Sequence, residues 1–550
     1  MFIAGRKCKD YPPDTIALEL AREYSSHVPD KLAAVMLDNE LHDLQTPIGN
    51  HEQIDFVGLD SEIGWRIYRR SVIFLLITAV KELYPEAEVT VKFRINKGLF
   101  CEVNSAAFNL DEGKVREIEA AMRCIVEEGR PIVKERLPRE RAVRLFKESK
   151  QIEKANLISA LRRETVNIYR CGEFYDYLYG AMMGNTGDLG EFAIDYHKPG
   201  LLLITPDTTS GGQVPAMVHQ PKLGNILSEA KRWAGILKCD YVPDLNRANR
   251  HGRIGDIIRV SEALQEKKIA QIADHIAAHG RELRLIIIAG PSSSGKTSFA
   301  QRLRIQLRVN GLEPISISLD DYYRNREDCP RNACGEYDFE CLEALDVELF
   351  NEHMLALLSG KHIVPPRFNF VTGMREMEGQ HPFAVRPDQP IIIEGIHGLN
   401  EKLTEAIPRH SKYKIYISAL TQLNIDSHNR IATTDARLIR RIVRDYQFRG
   451  AQALRNLRMW PVVREGEERY LFPFQEEADV MFNSALIYEL GILKRYVEPL
   501  LEKIPPEQPE YTKARRLLDI CQYFEPITAE DEVPNNSILR EFIGKSCFFA

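Results

Sequence analysis

The sequence has no surplus of positive charge, no apolar run long enough to cross a bilayer and no cysteine-dense segment, and each absence narrows what the chain can be. Lysine and arginine number 73 against 79 aspartate and glutamate, a formal net charge of −6. That balance argues against bulk nucleic-acid binding and leaves room only for a local basic patch. The most apolar run, Val72-Ile73-Phe74-Leu75-Leu76-Ile77-Thr78-Ala79-Val80, follows Arg69-Arg70-Ser71 in the manner of a twin-arginine signal. It lies well inside the chain, and Lys81-Glu82 cuts it short of the ~18–20 residues a span needs, so a buried core helix and no membrane partner are expected. The first residues, Met1 to Lys7, lack the apolar stretch of a secretory signal. The 10 cysteines are scattered and read as reduced, intracellular thiols, so a cytoplasmic protein is expected. Cys329, Cys334 and Cys341 come closest together, but without a CxxC pair or a nearby histidine they read as an ordinary loop rather than a zinc site. There is no internal repeat and no low-complexity tract.

What is present is ordinary globular composition, 44% apolar and 28% charged, in 550 residues. A single core stops growing near ~250–300 residues, so three or more compact units are expected. The pattern predicts helices over 15–24, 64–83, 111–128, 228–237, 257–279 and 511–523, with strands near 32–40, 88–93 and 98–103. Residues 200–224 read as strand and loop. Thr208-Thr209-Ser210-Gly211-Gly212 lacks the strand-to-helix context of a phosphate cradle and is assigned no ligand.

Residues 283–289 are mostly Leu and Ile, as in a strand buried on both faces of a parallel sheet. They run into Gly290-Pro291-Ser292-Ser293-Ser294-Gly295-Lys296-Thr297, and a helix over 297–309 follows with Phe299, Leu303 and Leu307 on one side. Strand, Gly-x-x-x-x-Gly-Lys-Thr, helix is the context that confirms a P-loop. Its glycines let backbone N–H groups of Ser292, Ser293 and Ser294 turn toward phosphates, Lys296 reaches the β/γ-phosphates of ATP, and the Thr297 hydroxyl ligates Mg²⁺.

A second strand over 314–319 ends in Asp320-Asp321-Tyr322-Tyr323-Arg324. A carboxylate at the carboxyl end of a neighbouring parallel strand projects into the ligand crevice, where Asp320 can act as general base toward an attacking hydroxyl. A third strand over 390–393 ends in Glu394-Gly395, placing another carboxylate near the metal; the absence of an Asn-Lys-x-Asp segment weighs against a GTPase. Arg437, Arg440, Arg441, Arg444 and Arg449, then Arg455, Arg458, Arg464 and Arg469, read as a lid over phosphates, with a solvated basic face as the alternative. Helical spacing puts Arg437, Arg441 and Arg444 on one face and Ile439, Ile442, Val443 and Tyr446 on the other.

These pieces resemble the uridine kinase and phosphoribulokinase group of P-loop kinases. The matching segments are 290–297, 320–324, Tyr337-Asp338, Pro366-Arg367-Phe368-Asn369-Phe370, Glu394-Gly395-Ile396, 440–445 and Arg449-Gly450, in the family's order. The resemblance implies Asp320 as catalytic base beside Lys296 and Arg444, and Asp338 as the carboxylate on the ribose hydroxyls. It also implies Glu394 with Thr297 near Mg²⁺, phosphate contacts from Arg441, Arg444 and Arg449, and a nucleoside pocket lined by Tyr323 and Phe368. Two departures stand out: Gly373 falls where uridine kinases carry a base-reading histidine, and Phe368 replaces a tyrosine.

The N-terminal half resembles the two N-terminal domains of threonyl-tRNA synthetase, with Trp65 to Ser71 opening the long helix of the second. The four chemical positions of its editing site fall on Arg70, Phe74, Leu178 and Met182, which supply no ligand or base. Editing is therefore not expected, and a scaffold or regulatory role is. Together the parts, with the tail around 535–544, resemble bacterial TGS-domain nucleoside kinases. The implied layout is a TGS-like β-grasp unit over 1–60, an α+β editing-like unit over 61–225 and a helical connector over 226–280. A doubly wound α/β kinase unit over 281–505 and a helix and tail over 506–550 complete it.

Elsewhere, His197, His219 and His428 read as structural, His397 alone lies near the site, and Trp65, Trp233 and Trp460 read as packing anchors. The expected activity is Mg·ATP-dependent phosphorylation of a nucleoside 5′-hydroxyl, uridine or cytidine first. A kinase of another small polyol or sugar phosphate is the nearer alternative. An RNA-binding or regulatory ATPase, reaching nucleic acid through the N-terminal half, is the more distant one. Homo-oligomerisation stays open.

Overall fold

The computed structural model describes the whole chain except residues 1, 4, 9, 162, 281, 332–334, 336, 370, 371, 377–379, 422 and 550. Cys334 and Phe370 therefore lie outside the described residues. The first sheet gathers β1 (Phe2–Ile3), β2 (Arg6–Lys7), β3 (Leu32–Leu37), β4 (Glu40–His42) and β5 (Gln53–Gly58) in the order β2-β1-β5-β3-β4, and α1 (Ala17–Glu23) packs on it. Asp38 and Asn39 turn β3 into β4 at φ 47° and 62°, a backbone region these two short polar residues tolerate.

Then come α2 (Glu62–Leu83), β6 (Glu88–Ile95), β7 (Gly98–Asn104), α3 (Glu112–Glu128), β8 (Val133–Pro138), α4 (Arg139–Glu148) and α5 (Ile152–Ala160). β9 (Thr165–Cys171), β10 (Phe174–Asp176), β11 (Ala193–His197) and β12 (Gly200–Ile204) complete two antiparallel sheets, β11-β12-β7-β6 and β10-β9-β8. Ser61 caps α2 by accepting from the Gly64 N–H at 3.0 Å, and the apolar run over 72–80 is the buried centre of that helix. No helix among the described residues is long and apolar enough to cross a membrane.

Three helices lead to the second half: α6 (Pro221–Leu237), α7 (Val242–Arg250) and α8 (Ile254–Ala278). The first begins at Pro221 rather than residue 228, because proline in the first turn presets the helical φ and loses no hydrogen bond there.

The second half holds β13 (Leu285–Ala289), α9 (Lys296–Val309), β14 (Ile315–Ser318), α10 (Val347–Leu358), the hairpin β15 (Arg367–Asn369) and β16 (Met374–Glu376), β17 (Ile391–Glu394) and β18 (Lys412–Ser418). Next are α11 (Thr433–Arg449), α12 (Ala453–Tyr470), β19 (Val480–Asn483), α13 (Glu489–Leu501), α14 (Tyr511–Cys521) and the short α15 (Arg540–Ile543). Its sheet runs β14-β17-β13-β18-β19, every pair parallel. Ile286 and Ile288 of β13 face one core while Leu285 and Ile287 face another, so both faces of the sheet are covered. This is a doubly wound α/β fold, and β13 at its centre delivers the Gly-rich loop to the carboxyl edge of the sheet.

The halves share cores. Phe146 and Ile158 of α4 and α5 belong to the same apolar cluster as Leu245, Ile439 and Leu517. Across the same seam the Val91 N–H donates to Ser427 O at 2.8 Å, and Asn424 Nδ2 donates to Val91 O at 2.9 Å. Lys154, Asp176 and His428 meet there, out of solvent, with His428 Nδ1 2.6 Å from Asp176 Oδ2. Burial alone would raise the Asp176 pKa, but His428 and Lys154 hold it down to about 2.

Because that carboxyl is more acidic folded than unfolded (about 3.9), its contribution to stability is complete at neutral pH. It is lost as pH falls from about 4 through about 2. Asp176→Ala leaves Lys154 buried without its counter-charge and should cost about 3–5 kcal/mol, read by chemical denaturation at pH 7. A cost within about 0.5 kcal/mol contradicts the assignment.

Candidate active site

The loop at residues 290–297 has room for no other sequence at its two ends. A Cβ on Gly290 would lie 2.0 Å from Ile417 O, and one on Gly295, at φ 83°, would lie 2.4 Å from Ile538 Cγ2. The first glycine thus lets β13 press against β18, and the second lets the chain's own tail close over the loop. Lys296 Nζ donates to Gly290 O at 2.9 Å, folded back along the cradle it would serve. Burial lowers its pKa, with Glu394 and Asp320 opposing.

Four carboxylates act on this lysine, Glu394, Asp320, Glu541 and Glu467, and the first two lie at the carboxyl edge of the sheet. Asp320 sits in a short 3₁₀ turn after β14, where its N–H is held by Ser318 Oγ at 3.2 Å, and it opens onto the cleft. Enclosure by the cleft and the adjacent Asp321 raise its pKa, while Lys296 and Arg449 oppose. Glu394 ends β17, and Thr297 Oγ1 donates to its Oε1 at 3.3 Å. Its Oε2 is buried with no hydrogen-bond partner, and burial pushes its pKa up to about 7. A carboxylate oxygen left without a partner beside a P-loop threonine is what a hard divalent cation would satisfy, so Thr297 and Glu394 fit Mg²⁺.

The arginines divide. Arg437 and Arg440 are fully buried and are not part of a lid, which corrects the face assignment made from helical spacing. Arg437 Nε donates to Ser292 O at 3.0 Å and its guanidinium pairs with Glu467. Glu467 in turn accepts from the Ser292 N–H at 2.9 Å and from Arg464 at 2.7 Å. Burial alone would raise the Glu467 pKa, but Arg437 and Arg464 hold it below the usual range. Arg440 pairs with Glu489 and reaches Ser293 O at 3.4 Å. Tyr446 is exposed rather than packed with Ile439, Ile442 and Val443.

Arg441 Nη1 donates to Ser292 Oγ at 3.0 Å, Arg444 Nη2 lies 2.8 Å from Asp445 Oδ1, and exposed Arg449 lies 3.6 Å from the same oxygen. These are the expected phosphate-facing side chains. Arg455 and Arg469 point to solvent, while exposed Arg458 bonds Gln508 and Glu510.

Past Asp320 and Asp321, the Tyr323 and Phe368 rings stand 5.5 Å apart, and Arg375 holds the Tyr323 carbonyl at 3.1 Å. Asp338 Oδ2 accepts from Tyr470 OH at 3.1 Å. His397 is buried beside Tyr470 with both ring nitrogens unpartnered, and burial pulls its pKa down to about 4. Glu340, pushed up to about 7 by burial and by Glu467, lies in the same wall. Gly373 forms the β15–β16 turn at φ 72°, and a Cβ there would lie 2.8 Å from Arg326 Nε. The Cys329 and Cys341 thiols donate to backbone carbonyls, and no cluster of three metal-binding side chains of the His, Cys, Asp and Glu types occurs among the described residues.

Reading by motif missed Glu467 and Glu541. The latter accepts from Ser298 Oγ at 2.8 Å and closes the tail onto the start of α9. Neither carries a local sequence signal, since each is defined by a contact between distant segments.

Residues 285–488 match the Phosphoribulokinase / Uridine kinase family. The matched segment is under half of the chain. The N-terminal region matches threonine–tRNA ligases. One, from Bartonella tribocorum, is 32% identical over 184 residues, covering 33% of this chain and 28% of that protein. Another, from Listeria welshimeri, is 35% identical over 187 residues, covering 34% and 29%. The chain thus spans under a third of the length of the ligases it matches. Among solved structures, a possible uridine kinase from Bacillus stearothermophilus aligns with 40% of this chain and 98% of its own at 20% identity, with a TM-score of 0.27.

If Glu467 holds the phosphate loop through Arg437 and Ser292, Glu467→Ala should weaken ATP binding and cost about 3–5 kcal/mol of stability, since it strands a buried arginine. ATP titration by calorimetry and denaturant melts check both, and unchanged ATP affinity contradicts the role.

Proposed function

We propose that the chain transfers the γ-phosphoryl group of ATP to a hydroxyl of a small polyhydroxylated acceptor, a nucleoside 5′-hydroxyl being the first candidate. The observation that carries this is Asp320: an exposed carboxylate after β14, between the phosphate loop and the Tyr323–Phe368 wall, with its pKa raised by enclosure and by Asp321 against the pull of Lys296. In the reaction the acceptor oxygen bonds phosphorus, the bond from phosphorus to the ADP oxygen breaks, and the acceptor proton passes to Asp320.

Lys296 and the loop N–H groups would hold the β- and γ-phosphates, and Arg441, Arg444 and Arg449 would neutralise the charge that spreads over the transferring group. Thr297 and Glu394 would hold Mg²⁺, which when bound supplies charge neutralisation between the β- and γ-phosphates. Asp338, oriented by Tyr470, would accept from ribose-type hydroxyls, and Tyr323 with Phe368 would flank an aromatic base.

Gly373 cannot take a base-reading side chain without moving Arg326, so uracil would have to be read by another group, and His397, buried with both ring nitrogens free of hydrogen bonds, is a candidate. Sugar phosphates and other polyols follow nucleosides as acceptors to test. The N-terminal half fits a TGS-like and editing-like scaffold without hydrolytic chemistry, because Arg70, Phe74, Leu178 and Met182 supply no metal ligand or base.

Asp320→Asn should lower acceptor-dependent ADP formation by about 10²–10⁴-fold with ATP affinity nearly unchanged. Lost ATP affinity would reassign Asp320 to the metal. In the native chain kcat should fall at acid pH as Asp320 takes a proton, with a midpoint above its ordinary 3.8. That acid limb should vanish from the residual activity of the variant.

A further inference from the structure

A second cavity, of about 990 Å³, lies far from the phosphate loop in sequence, between β4, the start of α2, β8, β9 and α14. Its volume is at the upper end of those that enclose whole small ligands. Its lining holds eight arginines and lysines against four aspartates and glutamates, in a protein whose overall charge is −6. Several of these acids are already matched: Glu62 with Arg66 at 2.7 Å, Asp43 with Lys134 at 2.5 Å and Asp519 with Arg163 at 2.7 Å.

What remains is a set of cations without a close ion-pair partner. Among the described residues, Arg70, Arg136, Lys513 and Arg515 have no carboxylate within 4.0 Å. Arg70 instead donates to Ala181 O at 2.5 Å and lies 5.4 Å from the centre of the Tyr179 ring. Arg516 pairs through Nη2 with Asp435 at 2.9 Å, while its Nη1 is buried without a partner. His42 Nε2, also on the wall, is buried without a hydrogen bond, 4.0 Å from Glu40 Oε2. Burial lowers the pKa of both Arg70 and Lys513, the direction expected when a cation waits for an anion.

Planar guanidinium groups around a roomy cavity suit phosphate oxygens, which they meet in paired hydrogen bonds. A lone phosphate would leave most of the volume empty, and the half-buried Tyr179 on the wall, with Arg70 over its ring, gives an aromatic surface beside a cation for a base. We propose that this cavity binds a mononucleotide or a comparable phosphorylated small molecule, separately from the phosphate loop.

The cavity is wired to the other site by contact. Asp435, the partner of Arg516, lies in the first turn of α11, and Tyr179 OH donates to Arg430 O at 3.3 Å just before that helix. The same helix carries Arg437, Arg441, Arg444 and Arg449. An anion in the cavity competes with Asp435 for Arg516, so occupancy shifts the seat of α11 and with it the arginines at the phosphate loop. By linkage each ligand then alters the affinity of the other. Binding in the cavity is independent of the proposed kinase activity; only the meaning of the coupling rests on it.

The test uses the full chain carrying Lys296→Ala, which disables the phosphate loop, and calorimetric titration with AMP, UMP, inorganic pyrophosphate and a short oligoribonucleotide. One mononucleotide should bind at a single site. Adding Arg70→Leu or, separately, Lys513→Ala should weaken it by about tenfold or more while the variants melt as the parent does. In the native chain, saturation with that nucleotide should change ATP affinity, and Arg516→Gln should remove the change. No binding of any probe to the Lys296→Ala chain overturns the site, as does equal binding with and without both cavity substitutions. Binding of the oligoribonucleotide alone overturns it in favour of nucleic acid. Equal ATP affinity with and without the nucleotide overturns the coupling.

Discussion

The phosphate loop is held by a buried ion pair. Arg437 and Glu467, almost wholly out of solvent, grip the two sides of the Ser292 peptide, one on its carbonyl and one on its N–H. Two charges buried this way repay their desolvation only when geometry and extra hydrogen bonds are both good. Here Arg464 and the loop backbone supply the extra bonds. Because Arg437 comes from α11 and Glu467 from α12, the loop's shape depends on both helices being seated, and so does everything the loop presents to a phosphate.

The same seating explains why the tail and the N-terminal half matter to a site they do not enter. Ile538 packs where a Cβ of Gly295 would be, and Glu541 holds the first turn of α9. At the opposite end of α11, Asp435 is tied to Arg516, and the Lys154–Asp176–His428 cluster ties the preceding loop to the N-terminal half. The parallel sheet of the second half is thus braced from both ends of one arginine-bearing helix. The charge pattern in the cleft follows: Lys296 sits among Asp320, Glu394 and Glu541, whose mutual repulsion it partly relieves and which raise the demand for a further cation.

Much of this was legible in the sequence, for physical reasons. The apolar 283–289 segment, the Gly-x-x-x-x-Gly-Lys-Thr spacing and the acids after two strands are local signals, and the parallel order β14-β17-β13-β18-β19 places them at one sheet edge as such signals require. The Tyr323 and Phe368 rings meet 5.5 Å apart, whereas Asp338 is tied to Tyr470, a partner no local pattern marks. What local pattern does not encode is which arginine of a helix is buried. Helical spacing put Arg437 beside Arg441 and Arg444, yet Arg437 turns inward because Glu467, thirty residues on, meets it there. Glu541 and the unmatched cations around the N-terminal cavity are long-range in the same sense, and no periodicity announces them.

The central claim is transfer of a phosphoryl group to a small alcohol rather than to water. Incubation of the full chain with Mg·ATP and a panel of nucleosides, sugars, sugar phosphates and RNA, followed by phosphorus NMR of the products, tests it most directly. The account predicts a new phosphoester on one small acceptor, formed in step with ADP. ADP release that depends on RNA, with no phosphorylated small molecule, would contradict it.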